Sequence, residues 1–349
     1  MIAIKKEGVI LSVTELDFEN EGVLNPAIVQ EGNTVHMLYR AVRKGNFSTI
    51  GYAKLEGPLK VVERKTKPLI IPTTNDEIHG IEDPRIVKID GIYYLTYCAY
   101  DGVNALGSIA TSLDLIEFEK HGVIVPQITY QKFNQMAECS QHLNAKYERF
   151  HVHNNIENNP DKKMLLWDKN LILFPRTING KLTFLHRIKP DIQIVSVNNI
   201  SEFTKEFWSN YLLHFNEYII MSPIHEHEIS YLGGGCPPVE TRAGWLLIYH
   251  GVHDTADGYI YSACAALLDL DDPKKEIARL PYPLIQPELP WELSGYVSNV
   301  IFPTGTSLFD GILYIYYGAA DKRIAVASVE LEKLIIELLS FKNLKNANQ

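Results

Sequence analysis

The sequence lacks most of the features that announce a function. It has four cysteines in 349 residues, Cys98, Cys139, Cys236 and Cys264, and none forms a CxxC pair. That is too few and too widely spaced for a disulfide framework, so all four are expected to be reduced and structural. No run of 18 apolar residues occurs, which excludes a membrane-spanning helix. The opening MIAIKKEGVILSV has no apolar core of the kind a signal peptide needs, so the expected compartment is the cytoplasm, or the periplasm if a leader has been removed. GxGxxG, the P-loop and GxSxG are all missing, and with them the signatures of dinucleotide binding, phosphate-loop NTPases and serine hydrolases. Basic residues are outnumbered: the formal charge is −9. An acidic chain repels phosphate backbones and anionic bilayers, so neither nucleic acid nor membrane is an expected partner.

Aromatic residues, by contrast, are plentiful. Nineteen tyrosines stand against five methionines, a balance that suits pleated strands and surfaces that cover the apolar face of a sugar ring. The aromatics fall within a recurring phrase: a residue beside proline, a Gly-containing turn, an aromatic strand, then a strand of small apolar residues. The copies begin at Asn25-Pro26, Asp83-Pro84, Phe174-Pro175, Pro237-Pro238 and Phe302-Pro303, intervals of 58, 91, 63 and 65 residues. Each interval accommodates about four strands. Five such units without helical periodicity between them predict an all-β chain, a single five-bladed β-propeller over residues 1–349. The long second interval predicts an insertion between blades two and three, about 126–166, with a helix from Tyr130 to Lys146 followed by a polar loop carrying His151 and His153; His142 lies within the helix, and all three histidines are read as solvent-facing or lid residues.

Candidate chemistry is found where polar residues interrupt the phrase. In HGIEDPRIV, Glu82, Asp83 and Arg85 surround a proline, and Asp83 occupies the position of Asn25 in the first copy. A carboxylate beside an arginine at a strand entrance is held in a fixed pose. In PIHEHEISYLGGGCPP, alternation would put His225 and His227 on one face of an extended segment and Glu226 and Glu228 on the other. HxH is not HExxH, so no metal is expected; one glutamate could instead serve as a catalytic carboxylate, and the glycine run lets the backbone pass close to a ligand or a neighbouring strand. Arg40, His186-Arg187, His250 and Asp321 end aromatic strands at matching places and would converge on a common axis.

Several long blocks then resemble glycoside hydrolase family 130: IEDPRIVKIDGIYYLTYCAYDG, NLILFPRTINGKLTFLHR, GGGCPPVETRAGWLLIYHGV, ALLDLDDP and YIYYGAAD, spanning residues 25–330 in order. The family comprises inverting β-mannoside phosphorylases and β-1,2-mannosidases built as five-bladed propellers. The resemblance implies that Asp83 is the proton donor, acting in the phosphorylases through a sugar hydroxyl. It also implies that Asp321 holds the mannose at the cleavage subsite, and that Arg40 and Arg187 contact sugar. Asn25, Glu82, Arg85, His186, Tyr231 and His250 complete the expected substrate-binding set. Two phosphate-binding cations of the family's phosphorylases are absent at their matching positions, where Leu106-Gly107 and Tyr231 stand instead; the histidine of the YHG block is kept as His250. Because Glu226 and Glu228 lie nearby, an inverting hydrolase is expected, with Asp83 as acid and one of these glutamates activating water. A phosphorylase yielding mannose 1-phosphate is the alternative, and a non-catalytic mannoside-binding propeller a third reading. The expected partner is a small-molecule mannoside; no cofactor is needed for acid–base glycoside cleavage, and a homo-oligomer is compatible with the sequence.

Overall fold

A computed structural model describes residues 2–138, 144–149 and 163–342. The chain is mostly β, with few and short helices. The strands assemble as antiparallel sheets of neighbouring segments. Gly22–Glu31, Thr34–Arg43, Phe47–Glu56 and Lys60–Arg64 (β2–β5) form the first unit; Gly80–Ile89, Ile92–Tyr100, Ala105–Ser112 and Glu119–Val123 (β6–β9) form the second. A single parallel bridge, Ser48 to Gly80, joins them. Lys169–Leu173, Leu182–Arg187, Ile192–Val197 and Ile219–Met221 (β10–β13) make the third unit. The fourth is built from Tyr231–Gly234, Val239–Thr241, Gly244–Thr255, Gly258–Leu268 and Glu276–Arg279 (β14–β18). The last unit mixes the two ends of the chain: Ile301–Phe309, Ile312–Ala319 and Arg323–Glu330 (β19–β21) are completed by Lys5–Leu11 (β1).

Both faces of each sheet are covered, which is why the middle strands read as apolar runs rather than as alternation. In β3, Val35, Met37, Tyr39 and Ala41 face Tyr316, Ile324 and Val326 of the last unit, while Leu38 faces Ile81, Ile86 and Leu95 of the second. Further apolar layers join the second unit to the third, the third to the fourth and the fourth to the last. Every sheet is thus clamped between two others. The expected hairpins are present: Asp90-Gly91, Asn179-Gly180 and Asp310-Gly311 all take the left-handed pairs of φ angles that two-residue turns demand.

A second repeat was not read from the sequence. Before the first strand of four units, a short helical turn presents a fully buried glutamate. Glu19, Glu77, Glu228 and Glu292 each accept a hydrogen bond of 2.7 Å from the hydroxyl of a second-strand tyrosine, Tyr39, Tyr97, Tyr249 and Tyr317 respectively. Each also pairs with a cation from the fourth strand: Arg64 at 2.9 Å, Lys120 at 2.6 Å, Arg279 at 2.8 Å and Lys6 at 2.7 Å. In the third unit His186 takes the tyrosine's place and Asp168 the glutamate's, 2.8 Å apart. These latches tie the strands of a unit together through charge-assisted bonds shielded from water.

The expected helix in the insertion is observed as Tyr130–Ala137, capped by the Thr129 side chain. Residues Cys139, His142, His151 and His153 lie outside the described part. Cys98, Cys236 and Cys264 are buried free thiols. Among the described residues, no helix is long and apolar enough to cross a membrane.

Candidate active site

The first strands of three units carry the same local device. Asn25, Asp83 and Asn170 have φ of 50°, 50° and 54°, each within a break of pairing register, between Leu24 and Ala27, Glu82 and Arg85, and Lys169 and Ile172. Only short polar side chains enter this left-handed region readily without glycine, and a bulge re-aims the side chain it carries. All three side chains line one cavity of about 280 Å³, together with Arg40, Glu82, Trp167, Lys169, Arg187, Lys189, Tyr231, Tyr261, Val297, Val300, Phe302 and Asp321. Gly318, opposite Phe302, makes room for this arrangement: a Cβ there would sit 2.0 Å from Asn25 Oδ1.

Two regions of opposite charge face the cavity. On the acidic side, Asp83 Oδ1 accepts from Asn25 Nδ2 at 2.7 Å and lies 3.4 Å from Arg40 Nη1. Arg40 also donates to Glu82 Oε1 at 2.7 Å and to Ser48 Oγ at 2.8 Å. Arg85 lies behind, donating to the Asp83 carbonyl at 2.6 Å and to the Gly235 carbonyl at 3.1 Å. Burial pushes the Asp83 carboxyl up, but Arg40, Arg85, Lys169 and the Asn25 amide outweigh it and hold it below the usual carboxylate range. Asp321 goes the other way: burial, reinforced by the Asp83 and Glu82 charges, overcomes Arg40 and Lys169 and raises it to about 6.

On the basic side, Lys189 Nζ lies 3.9 Å from the centroid of the Tyr231 ring and the Arg187 guanidinium 5.4 Å from it. Tyr231 is itself hydrogen-bonded to Tyr261. Lys169 stands 3.8 Å from Glu82 Oε2. Burial, together with the Arg187 and Lys169 charges, pulls the Lys189 amine well below its ordinary value. Burial and the cations Arg187, Arg85 and Lys189 likewise keep the His250 imidazole neutral. Arg187 Nε, Asn170 Nδ2 and both His250 nitrogens are buried without a protein partner. Arg187 makes no ion pair among the described residues. A group of cations and orphaned donors around one cavity wall is an arrangement that awaits an anion.

The structure therefore brings together Asn25, Arg40, Glu82, Asp83, Arg187, Tyr231 and Asp321, with Arg85 and His250 packed directly behind them. It does not bring Glu226, Glu228 or His186 to the cavity. The segment around Glu226 is a short helical turn, not an extended strand, so the expected alternation fails; the His225 and His227 rings stack at 5.6 Å and the Glu226 side chain is solvent-exposed. Glu228 is consumed by its latch, with both oxygens bonded to Arg279, Tyr249 and the N–H groups of Ile224 and His225. Burial raises its carboxyl, but Arg279 and Tyr249 more than offset this and hold it below the usual carboxylate range. His186 points to the opposite face from Arg187 and bonds Asp168 and Tyr211. Lys169, Lys189, Asn170, Trp167 and Tyr261 were not anticipated. Asn170 was detectable, since Lys169-Asn170 matches Glu82-Asp83 once the bulges are aligned.

Asp321 yields a pH test. A carboxyl raised to about 6 makes the fold less stable as pH rises through that value, because the folded state prefers the proton that the unfolded state, with a pKa near 3.8, has released. Asp321→Asn is expected to stabilise the protein by on the order of 1–2 kcal/mol at pH 8, the gain fading below pH 6 and vanishing near pH 4. Thermal midpoints across pH check this; a gain independent of pH would refute it.

With this geometry in place, the chain can be set beside known proteins. The profile of glycoside hydrolase family 130, described as β-1,4-mannooligosaccharide phosphorylase, matches residues 11–340. A 1,2-β-oligomannan phosphorylase of Thermoanaerobacter sp. (strain X514) is 33% identical over 350 residues, 96% of this chain and 99% of that one. A β-1,2-mannobiose phosphorylase of the same strain is 32% identical, over 95% and 97% of the two chains. Among solved structures, the β-1,2-mannobiose phosphorylase of Listeria innocua superposes with a TM-score of 0.72 at 21% identity, over 97% of this chain and 99% of that one. The chain belongs to glycoside hydrolase family 130.

Proposed function

We propose that the protein is an inverting β-mannoside phosphorylase, built as a five-bladed propeller and acting on β-1,2-linked mannosides. One observation carries this reading over hydrolysis: Arg187, Lys189 and Lys169 gather at one wall of the Asp83 cavity, whereas the glutamates that would have activated water lie elsewhere. The positions of Leu106 and Tyr231 do lack cations, but Lys169 at the start of β10 and Lys189 in the turn after β11 bring basic groups to the cavity instead. Leu106 lies in an apolar layer that also holds Leu171. The names of the Thermoanaerobacter relatives point the same way.

In this reading phosphate lies against Arg187, Lys189, Lys169 and His250, and the mannosyl ring lies between it and Asp83, held by Arg40 and Asp321. A phosphate oxygen attacks C1 from the face opposite the leaving group. The C1–O bond breaks as a hydroxyl of the bound mannosyl ring passes its proton to the leaving oxygen and takes up the Asp83 proton in its place, giving α-mannose 1-phosphate and a mannoside shortened by one sugar. Asp83 then recovers a proton from solvent. The cations that hold its carboxyl below the usual range are partly neutralised by an arriving dianion, so phosphate binding itself favours protonation of the acid.

The test is incubation with β-1,2-mannobiose with and without phosphate, followed by phosphorus NMR. Mannose 1-phosphate formed only with phosphate is the expected result; equal mannose release under both conditions overturns the reading. Arg187→Met is expected to raise the phosphate KM by about 10- to 100-fold, the scale of losing a charge-assisted contact to a buried anion.

A further inference from the structure

A second hollow, of about 200 Å³, adjoins the cavity and shares Arg40 and Asp321 with it. Its remaining walls are Glu21, Gly22, Leu24, Val42, Asn46 and Tyr296. Three of these are small or apolar, and the rim residue is an aromatic that is 66% exposed. The ring stands at the mouth of the hollow, where its face is free to meet a ligand.

The segment carrying this ring is not loosely attached. Tyr296 N–H donates to the Ala320 carbonyl at 2.9 Å, and Ala320 N–H donates to the Val300 carbonyl at 3.0 Å. Gly295 lies so close beneath that a Cβ would fall 2.0 Å from the Ala320 oxygen. Ala320 and Asp321 both take left-handed φ, 50° and 49°. The strap over 295–300 is therefore fastened to the residue pair that aims Asp321, and it contributes to both hollows: Val297 lines the first, Tyr296 the second.

In-line displacement orders the hollows. The nucleophile comes from the cationic wall, so the leaving group lies on the far side of Asp83, where Arg40 and Asp321 open into the second hollow. We propose that this hollow receives the leaving sugar, and that Tyr296 is its specificity-determining residue, its ring covering the apolar face of a hexopyranose. The assignment rests on the phosphorylase reading for the direction of attack. The leaving sugar in turn presses on the strap that positions Asp321, so its occupancy and the grip on the reacting mannose are linked.

Synthesis from α-mannose 1-phosphate, with mannose or β-1,2-mannobiose as acceptor, separates the two sides. Tyr296→Ala is expected to raise the acceptor KM about tenfold, the scale of a lost stacking contact, with the KM for mannose 1-phosphate within about twofold of wild type by the same reasoning. Tyr296→Phe, which keeps the ring, should retain wild-type acceptor KM. An acceptor KM unmoved in the alanine variant, or a parallel rise in the KM for mannose 1-phosphate, overturns the assignment. If the wild type proves to release mannose without phosphate, the phosphorylase reading fails on its own. The same two variants then test the tyrosine through the KM for β-1,2-mannobiose, because the leaving sugar occupies the same hollow in either reaction.

Discussion

Asp83→Asn is expected to lower kcat for phosphorolysis of β-1,2-mannobiose by about a thousandfold, within the range that a positioned general acid supplies. The substitution is chosen to leave the fold alone. Asparagine tolerates the left-handed backbone at this bulge, as Asn25 and Asn170 show at the matching positions, and it can still accept from Asn25. What it cannot do is supply a proton to the leaving oxygen. The loss should therefore depend on the leaving group: an aryl β-mannoside whose phenolate departs without protonation should lose far less than the disaccharide. Equal losses on both substrates would show that Asp83 positions the sugar and is not its acid.

Glu228→Gln should affect stability and spare chemistry. Removing the charge leaves Arg279 buried beside it, 3% exposed at its side chain, with Glu276 as its remaining carboxylate. Breaking one partner of a buried pair costs about 3–5 kcal/mol, and the Tyr249 hydroxyl and the Ile224 N–H lose a charged acceptor as well. The urea midpoint should fall markedly, while kcat per folded molecule stays near wild type. Glu226→Gln, on an exposed side chain, should change neither quantity. A Glu228→Gln protein that kept its urea midpoint and lost turnover would restore this residue as a catalytic base.

The contrast between these two carboxylates shows what the sequence could reveal. Asp83 was legible because it shares a slot with Asn25, and the strand pairing confirms the matching of Arg40 opposite Leu24, Arg187 opposite Lys169 and His250 opposite Gly233. The third copy breaks the proline pattern: Leu171 follows Asn170 where Pro26 and Pro84 follow Asn25 and Asp83, and the next proline pair, Phe174-Pro175, lies four residues further on. Lys169 and Lys189 went unnoticed for a related reason. A lysine at a strand end or in a turn reads as surface decoration, and only the convergence of separate segments brings Lys169 and Lys189 to one cavity. The glutamate latch is present in the sequence as a glutamate 20 to 25 residues before each tyrosine, yet with the tyrosines read as core, Glu228 looks like a spare carboxylate in a ligand loop. His186 and Arg187 show the limit of reading by position alone, since adjacent residues on a strand face opposite ways and only one of them meets the cavity.

The sheet that pairs Lys5 with Ser328 has a consequence for how the molecule comes into being. Its fourth strand, β1, leaves the ribosome about 290 residues before the other three, so this segment waits for the four intervening units before it finds its ladder. Until then β1 has no ladder partner and both its edges are open, a template for pairing with another nascent chain, and Lys6 has no Glu292. Contacts so distant along the chain form late and slowly. Synthesis is thus the period when self-association threatens most, and lowering the expression temperature or supplying a chaperone would protect the yield more than any change at the Asp83 cavity.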